Sequence, residues 1–431
     1  MTATTALLDE LAWRGLLHQQ TEGLGAALAA GPVRGYCGFD PTASSLHVGN
    51  LVPIMGLVHL QRAGHRPVAL VGGGTGLIGD PSGRTAERLL HSEETVAANV
   101  AALRTQLERF LDFDGERGAR LVDNGDWLRG LDLVGFLRDV GKHFTVNYML
   151  AKESVQSRLS TETGISFTEF SYMLLQAYDF AELARREDVT LQLGGSDQWG
   201  NMTAGVSLVR KMLGSEAHAL TMPLVTTASG TKFGKSEAGA VWLDAERTSP
   251  YAFYQFWMNT DDRDVGTYLR YFTLLDRNEI VALEQASESE PAARGAQRRL
   301  GQDVTTRVHG AEAARAAEEV SGLLFGRGDP GALSEAALEL LQREVPFATI
   351  AADHETRLPN GTLDVLALLV ASGVAASRGA AKRLLEQGGV SVNGTRLASD
   401  QRAVSAADSL RGGHFLLRKG ARDYALVRVV S

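Results

Sequence analysis

The chain has 431 residues, 44% of them hydrophobic and 22% charged, which is the balance of a soluble protein with apolar material for two or three domains. Its formal charge of −8 argues against a protein that simply coats nucleic acid, and no apolar run is long enough to span a bilayer. The amphipathic N-terminus carries acids, unlike a secretory signal, and Cys37 is the single cysteine, so a reducing compartment, the cytoplasm, is expected.

In chain order, VRGYCGF at 33–39 reads as a strand, stopped by Pro41, which has a fixed φ and no N–H to extend a ladder. A polar loop then reaches His47-Val48-Gly49-Asn50 and a helix over about 49–63, with Pro53 in its first turn. Such a strand–loop–helix junction offers free N–H groups and a positive dipole end to an anion, and Thr42 and His47 stand where they could touch a phosphate. PVALVGG at 67–73 is a continuous apolar run, as a buried parallel strand requires. Ser92 caps a helix with Glu93 and Glu94 in its first turn, running to about Leu111. ARLVD at 119–123 is a further strand, 131–159 and 166–184 are helical, and VTLQLGG at 189–195 is a strand that leads into another helix.

This alternation predicts an α/β fold with a doubly wound, Rossmann-like parallel sheet over 1–248, and ligands bind such sheets at the carboxyl ends of the strands. Tyr36–Asn50, Gly72–Arg84 and Gly194–Gln198 all fall there. Residues 249–325 read as an α-helical domain and 326–358 as a connector carrying some helix. Residues 359–431 read as a small α+β domain with two short helices and a hairpin turning at Asn393-Gly394. That last segment holds ten Lys and Arg against five Asp and Glu, a charge of +5 that leaves −13 for the rest, as expected of an RNA-contacting module or of an ordinary solvated face.

Two glycine-bearing stretches resemble nucleotide loops. Gly74–Gly79 fits G-x-G-x-x-G after a strand, but Asp80-Pro81-Ser82-Gly83 follows where a dinucleotide site needs a helix. Gly230-Thr-Lys-Phe-Gly-Lys-Ser236 is one residue short of a P-loop. Tyr172, Gln176 and Asp179, spaced four and three apart, share one helix face, a polar stripe suited either to an amphiphilic ligand or to solvent.

The order Tyr36–Asn50 resembles the first signature of class I aminoacyl-tRNA synthetases, and 230–236 resembles their second, a mobile Lys-x-x-Lys-Ser loop. GDPSGRTAER at 79–88, GKHFTVNYMLAKESVQSR at 141–158, GISFTEFSYMLLQAYDF at 164–180 and GGSDQWGN at 194–201 are similar to the bacterial tyrosyl-tRNA synthetase family, in its order and over essentially the whole chain. The family's first signature ends in His where this chain has Asn50, which donates to a ribose or phosphate oxygen but brings no imidazolium.

The resemblance implies that Tyr36 and Asp179 meet the phenol of L-tyrosine, that Asp80, Tyr172 and Gln176 hold its ammonium, and that Gln198 lies by its carboxylate. It assigns ATP, with Mg2+, to Cys37, Gly38, Asp40, Thr42, His47, Gly49, Asn50, Gly195, Asp197, Lys232, Phe233, Gly234, Lys235 and Ser236. Of these, Thr42, His47, Lys232 and Lys235 bear on the departing pyrophosphate, while Arg84 and Arg88 stand either as further charges or as surface residues. No cluster has metal-ligand spacing, so no protein-held metal is expected. By the same resemblance 249–325 faces the anticodon side of tRNA(Tyr). Residues 359–431 match the RNA-binding domain of ribosomal small-subunit protein S-four, with Arg378, Lys382, Arg383 and Arg396 toward RNA. The family acts as a homodimer, and Gly141–Ala151 is expected in part of that interface.

The activity implied is ATP-dependent ligation of tyrosine to tRNA. Two other readings remain at this stage. An NAD-dependent oxidoreductase would rest on Gly74–Gly79, and a non-catalytic RNA-binding protein would keep the scaffold alone.

Overall fold

Six strands make the first sheet: β1 (Gln19–Gln20), β2 (Arg34–Phe39), β3 (Arg66–Val71), β4 (Arg120–Asp123), β5 (Val189–Gly195) and β6 (His218–Met222). Their order is β1-β6-β5-β2-β3-β4, with β1 antiparallel at one edge and the other five parallel. The computed structural model describes residues 5–82, 90–161, 164–230, 233–236, 239–351, 353 and 355–430. The chain divides into two units, Met1–Asp244 with Thr260–Ala296, and Ala245–Asn259 with Gln297–Ser431. The helices of 249–325 are therefore shared between the two.

In the first unit the sheet forms because its central strands are apolar on both faces. Val68, Ala69, Val71, Val189, Leu191 and Leu193 are all buried. The Leu51–Arg62 helix lies close on this surface, and a Cβ on Gly35 would stand 2.8 Å from Leu60 Cδ2, so β2 needs glycine there. Ser92 caps Glu93–Leu107 by accepting from Thr95 N–H. The helical stretch 131–159 is broken into Leu133–Asp139, Val146–Leu150 and Glu153–Leu159, because Asp132 and Thr145 each cap a new start. Phe167–Glu187 is one unbroken helix, capped by Ser166 and closed by Asp188 in the left-handed region. The strand β6 has no counterpart in the sequence reading, since His218 and Thr221 interrupt its short apolar run although all five residues are buried.

In the second unit, helices Pro250–Met258, Ala311–Leu324 and Glu335–Glu344 share a core with Leu416, Tyr424 and Leu426. A five-stranded sheet runs in the order Thr395–Arg396, Val390–Val392, His414–Lys419, Asp423–Val430, Phe347–Ala351. Its last strand pairs in parallel and comes from the stretch read as a connector. Helices Val365–Ala371 and Arg378–Glu386 contribute to a further core with Phe415, Leu417 and Val427. The hairpin turns where expected, with positive φ at both Asn393 (49°) and Gly394 (82°).

Candidate active site

The segments that follow β2, β3, β4 and β5 meet one face of the Phe167–Glu187 helix in two hydrogen-bonded chains. The first begins at Asp179, which is 2% exposed. Asn124 Nδ2 donates to its Oδ2 (2.9 Å) and Trp127 Nε1 to its Oδ1 (2.8 Å). Asn124 also donates to Thr75 Oγ1 (2.9 Å), Thr75 donates to Asp40 Oδ1 (2.8 Å), and Tyr172 Oη donates to Asp40 Oδ2 (2.8 Å). The second chain joins Asp80, Gln198, Asn201 and Gln176. Gln198 Nε2 donates to Asp80 Oδ2 (2.6 Å) and Asn201 Nδ2 donates to Gln176 Oε1 (2.9 Å).

At the Asp179 end, Tyr36 is 1% exposed, its ring is edge-on to Phe180 at 5.2 Å, and its hydroxyl has no hydrogen-bond partner among the described residues. Burial first, and then the Asp179 charge, hold the Tyr36 phenol well above its usual range, so it is a neutral donor. Burial also pushes the Asp179 carboxyl up to about 8. The Asn124 and Trp127 donors act the other way, and Asp40 and Asp123 add to the rise. One buried acceptor with an unsatisfied donor in its field is a site for a hydroxyl, which both donates and accepts. Tyr172 is buried too, its phenol raised by burial and then by Asp40 and Asp80.

Many of the residues that the resemblance assigns to ATP lie in and around the turn after β2. Thr42 is exposed and its N–H bonds Asp40 O. His47 Nδ1 accepts from Gly49 N–H (3.1 Å), which leaves its proton on Nε2, and a Cβ on Gly49 would stand 2.8 Å from His47 Cε1. Asn50 Oδ1 accepts from His47 N–H (3.0 Å), which turns the Nδ2 end of the amide that replaces the family's histidine away from that contact. Cys37 is buried and its thiol is pushed up to about 12 by burial, so it stays protonated. Gly38 lies within β2, and Gly195 ends β5 beside Asp197, whose carboxyl is raised by burial and by Asp80.

The second lysine stretch adjoins this turn. Val48 N–H bonds Val241 O, Val241 N–H bonds Gly234 O, and Leu243 N–H bonds Leu46 O. A Cβ on Gly234 (φ +80°) would stand 2.8 Å from Val48 Cγ2. The backbone of Lys235–Ser236 pairs antiparallel with Gly239–Ala240. Lys232, Arg84 and Arg88 lie outside the described residues, and for Lys235 and Ser236 the description covers the backbone. Phe233 stacks on Phe272 at 5.3 Å, so its ring packs within the protein.

The two signatures thus share one corner. The family described as tRNA synthetases class I (W and Y) matches residues 28–326. The tyrosine–tRNA ligase of Anaeromyxobacter dehalogenans is 56% identical over 423 residues, 98% of this chain and 99% of its own. The chain belongs to the tyrosyl-tRNA synthetase family. The family's C-terminal domain matches 344–427. The tyrosine–tRNA ligase of Geobacillus stearothermophilus is 52% identical over 98% of this chain and 99% of its own. A C-terminally truncated mitochondrial tyrosyl-tRNA synthetase of Aspergillus nidulans superposes with a TM-score of 0.68 at 30% identity, over 75% of this chain and 97% of its own.

Membership in this family displaces the oxidoreductase reading, and the local geometry explains why the glycine motif misleads. Gly74 and Thr75 give their N–H groups to Asn124 Oδ1 (2.7 and 3.4 Å), and a three-residue turn, Thr75–Leu77, stands where a dinucleotide site needs a helix. Asn124, Trp127, Thr75 and Asn201 escaped the sequence reading as site residues. Asn124 and Trp127 follow β4, so the strand-end rule that singled out the other loops points to them as well.

In the second unit, Arg378 is paired with Asp364, Arg396 Nε donates to Gly388 O (2.8 Å) and Lys382 lies 3.7 Å from Glu386. Arg378, Lys382, Arg383 and Arg396 are all exposed. Three of these four basic residues therefore also have partners within their own domain.

Proposed function

We infer that the chain is a tyrosine–tRNA ligase in which Asp179 and Tyr36 read the substrate phenol. The unpartnered Tyr36 hydroxyl beside a buried acceptor is the observation that carries this reading. Tyrosine would donate its O–H to Asp179 and accept from Tyr36, with its ammonium toward Asp80, Tyr172 and Gln176 and its carboxylate by Gln198. ATP enters as its Mg2+ complex against Cys37, Gly38, Asp40, Gly49, Asn50, Gly195 and Asp197. The tyrosine carboxylate, already ionised, attacks the α-phosphorus in line. A C–O–P bond forms, the bond to the β-phosphate breaks, and pyrophosphate leaves without a general base. Thr42 and His47, through its Nε2 proton, donate to the departing phosphates, and Lys232 and Lys235 neutralise them. A hydroxyl of the tRNA terminal adenosine then attacks the tyrosyl carbonyl and AMP leaves. Tyrosine-dependent exchange of labelled pyrophosphate into ATP tests the first step, and no exchange with any of the twenty amino acids overturns the enzyme reading in favour of a non-catalytic RNA-binding protein.

Lys235→Ala is expected to slow adenylate formation roughly 100-fold, the order lost with one charge-stabilising donor, while tyrosine affinity without ATP stays within about twofold. Pre-steady-state rates equal to wild type remove Lys235 from the reaction.

The basic face of 359–431, with Arg378, Lys382, Arg383 and Arg396, would take tRNA(Tyr) mainly by phosphate contacts, with 249–325 toward the anticodon side. A cytoplasmic location fits these substrates, and no helix among the described residues is long and apolar enough to cross a membrane. A homodimer is supported by exposed apolar side chains. Among the described residues, six of the twelve large hydrophobics left open (Leu133, Val134, Leu137, Val146, Leu159 and Phe167) fall in one stretch of chain. Val134→Glu should convert a dimer to monomer in sedimentation velocity; a wild-type monomer at micromolar concentration excludes the dimer, and an unchanged dimer excludes this face.

A further inference from the structure

We propose that Asn201 is a positioning residue that sets which way the amide of Gln176 faces, and so keeps an acceptor turned toward the substrate ammonium. This rests on the tyrosine site described above. The orientation starts at Asp80, whose carboxylate only accepts. Its Oδ1 takes Ser82 N–H (2.9 Å) and its Oδ2 takes Gln198 Nε2 (2.6 Å). That contact fixes the Gln198 amide with Oε1 at its other end, 3.4 Å from Asn201 Nδ2. Asn201 must therefore present its NH2 group, and the same nitrogen lies 2.9 Å from Gln176 Oε1 and 3.4 Å from Ser82 Oγ.

A flipped Gln176 would set NH2 against NH2. Both glutamine oxygens are thus gathered about one nitrogen, and each carbonyl oxygen keeps a second lone pair. Asn201 is 3% exposed, in the first turn of the Trp199–Leu213 helix, so water does not replace this contact at low cost. Without it, Gln176 is free to turn a donor toward an ammonium, which can only donate.

The test compares tyrosine with 3-(4-hydroxyphenyl)propanoate, which keeps the phenol and carboxylate and lacks the amine. Asn201→Leu keeps the branched shape and has no donor. It should raise KM for tyrosine about tenfold, the cost of roughly one hydrogen bond, with kcat within about twofold, and leave the inhibition constant of the amine-free analogue within about twofold. Equal weakening of both ligands, or of neither, overturns the proposal. Where Asn201→Leu fails to fold, Asn201→Ala, which also has no donor, is read the same way, and loss of folding in both assigns Asn201 to structure and overturns the proposal. Gln176→Ala separates the two levels. If it weakens tyrosine and spares the analogue while Asn201→Leu does neither, only the positioning role fails. If wild type binds no tyrosine, or Gln176→Ala leaves the two ligands in their wild-type ratio, the site itself is wrong and the proposal falls with it.

Discussion

Asp179→Asn will cut kcat/KM for tyrosine about 100-fold while changing that for phenylalanine far less, so the preference between them collapses by nearly the same factor. The carboxylate at 179 faces two fixed donors. Asn124 cannot turn over, because its Oδ1 already takes Gly74 N–H and its Nδ2 bonds Thr75 Oγ1, and Trp127 Nε1 only donates. An asparagine would answer one of them with its oxygen and oppose the other with its own NH2. A single neutral oxygen would then have to serve both a fixed donor and the substrate hydroxyl, where a charged pair of oxygens serves now. A hydrogen bond to a charged group with the penalty of an orphaned donor is worth about 3 kcal/mol, which is the factor given. Pyrophosphate exchange with each amino acid measures it, and an unchanged ratio in a folded variant removes Asp179 from the site.

The same carboxyl makes tyrosine binding depend on pH. It is pushed up to about 8 in the free protein, and its ionised form is the stronger acceptor of the phenol O–H, so tyrosine affinity should improve as pH rises toward about 8 and level off above it. In the ligand-free fold the sign is opposite. The folded value is raised above the unfolded one of about 3.9, so its stabilising contribution is full below that value and lost as pH climbs through about 8. Asp179→Asn should flatten both profiles.

Glu169→Ala is expected to destabilise the first unit by about 3–5 kcal/mol, the cost of stranding a buried charge. Arg158 and Glu169 are each 1% exposed and bonded at 2.8 Å, and Arg158 also donates to Gly164 O (3.1 Å). Glu169 sits in the first turn of the helix that carries Tyr172, Gln176 and Asp179, so the pair anchors the face proposed for tyrosine as well as the fold. The melting temperature should fall by roughly 10 °C. Replacing both partners, by Arg158→Met with Glu169→Leu, should restore much of the loss, because two apolar groups leave no charge behind. A single variant that loses under about 1 kcal/mol contradicts this account.

What the sequence disclosed was local. Apolar runs gave β2, β3 and β5, helical spacing put Tyr172, Gln176 and Asp179 on one face, and Asn393-Gly394 marked its turn. The partners that set the chemistry are distant in the chain. Asn124 and Trp127 reach Asp179 across 55 and 52 residues, and Asn201 reaches Gln176 across 25. No periodicity encodes such pairs. The strand Phe347–Ala351 was hidden for a like reason, because its partner, Asp423–Val430, lies some eighty residues on. Phe233, given to ATP by the resemblance, has its ring stacked on Phe272, a contact that local spacing does not encode.

The core that joins Val320, Leu323, Leu338 and Leu341 to Leu416, Tyr424 and Leu426 has a practical bearing on shortened forms. A chain ending at residue 344 would keep the helices and forfeit the strands that cover them, baring those four side chains to water. Trimming this protein to its catalytic half thus calls for polar replacements on that helical surface, or the shorter product will clump.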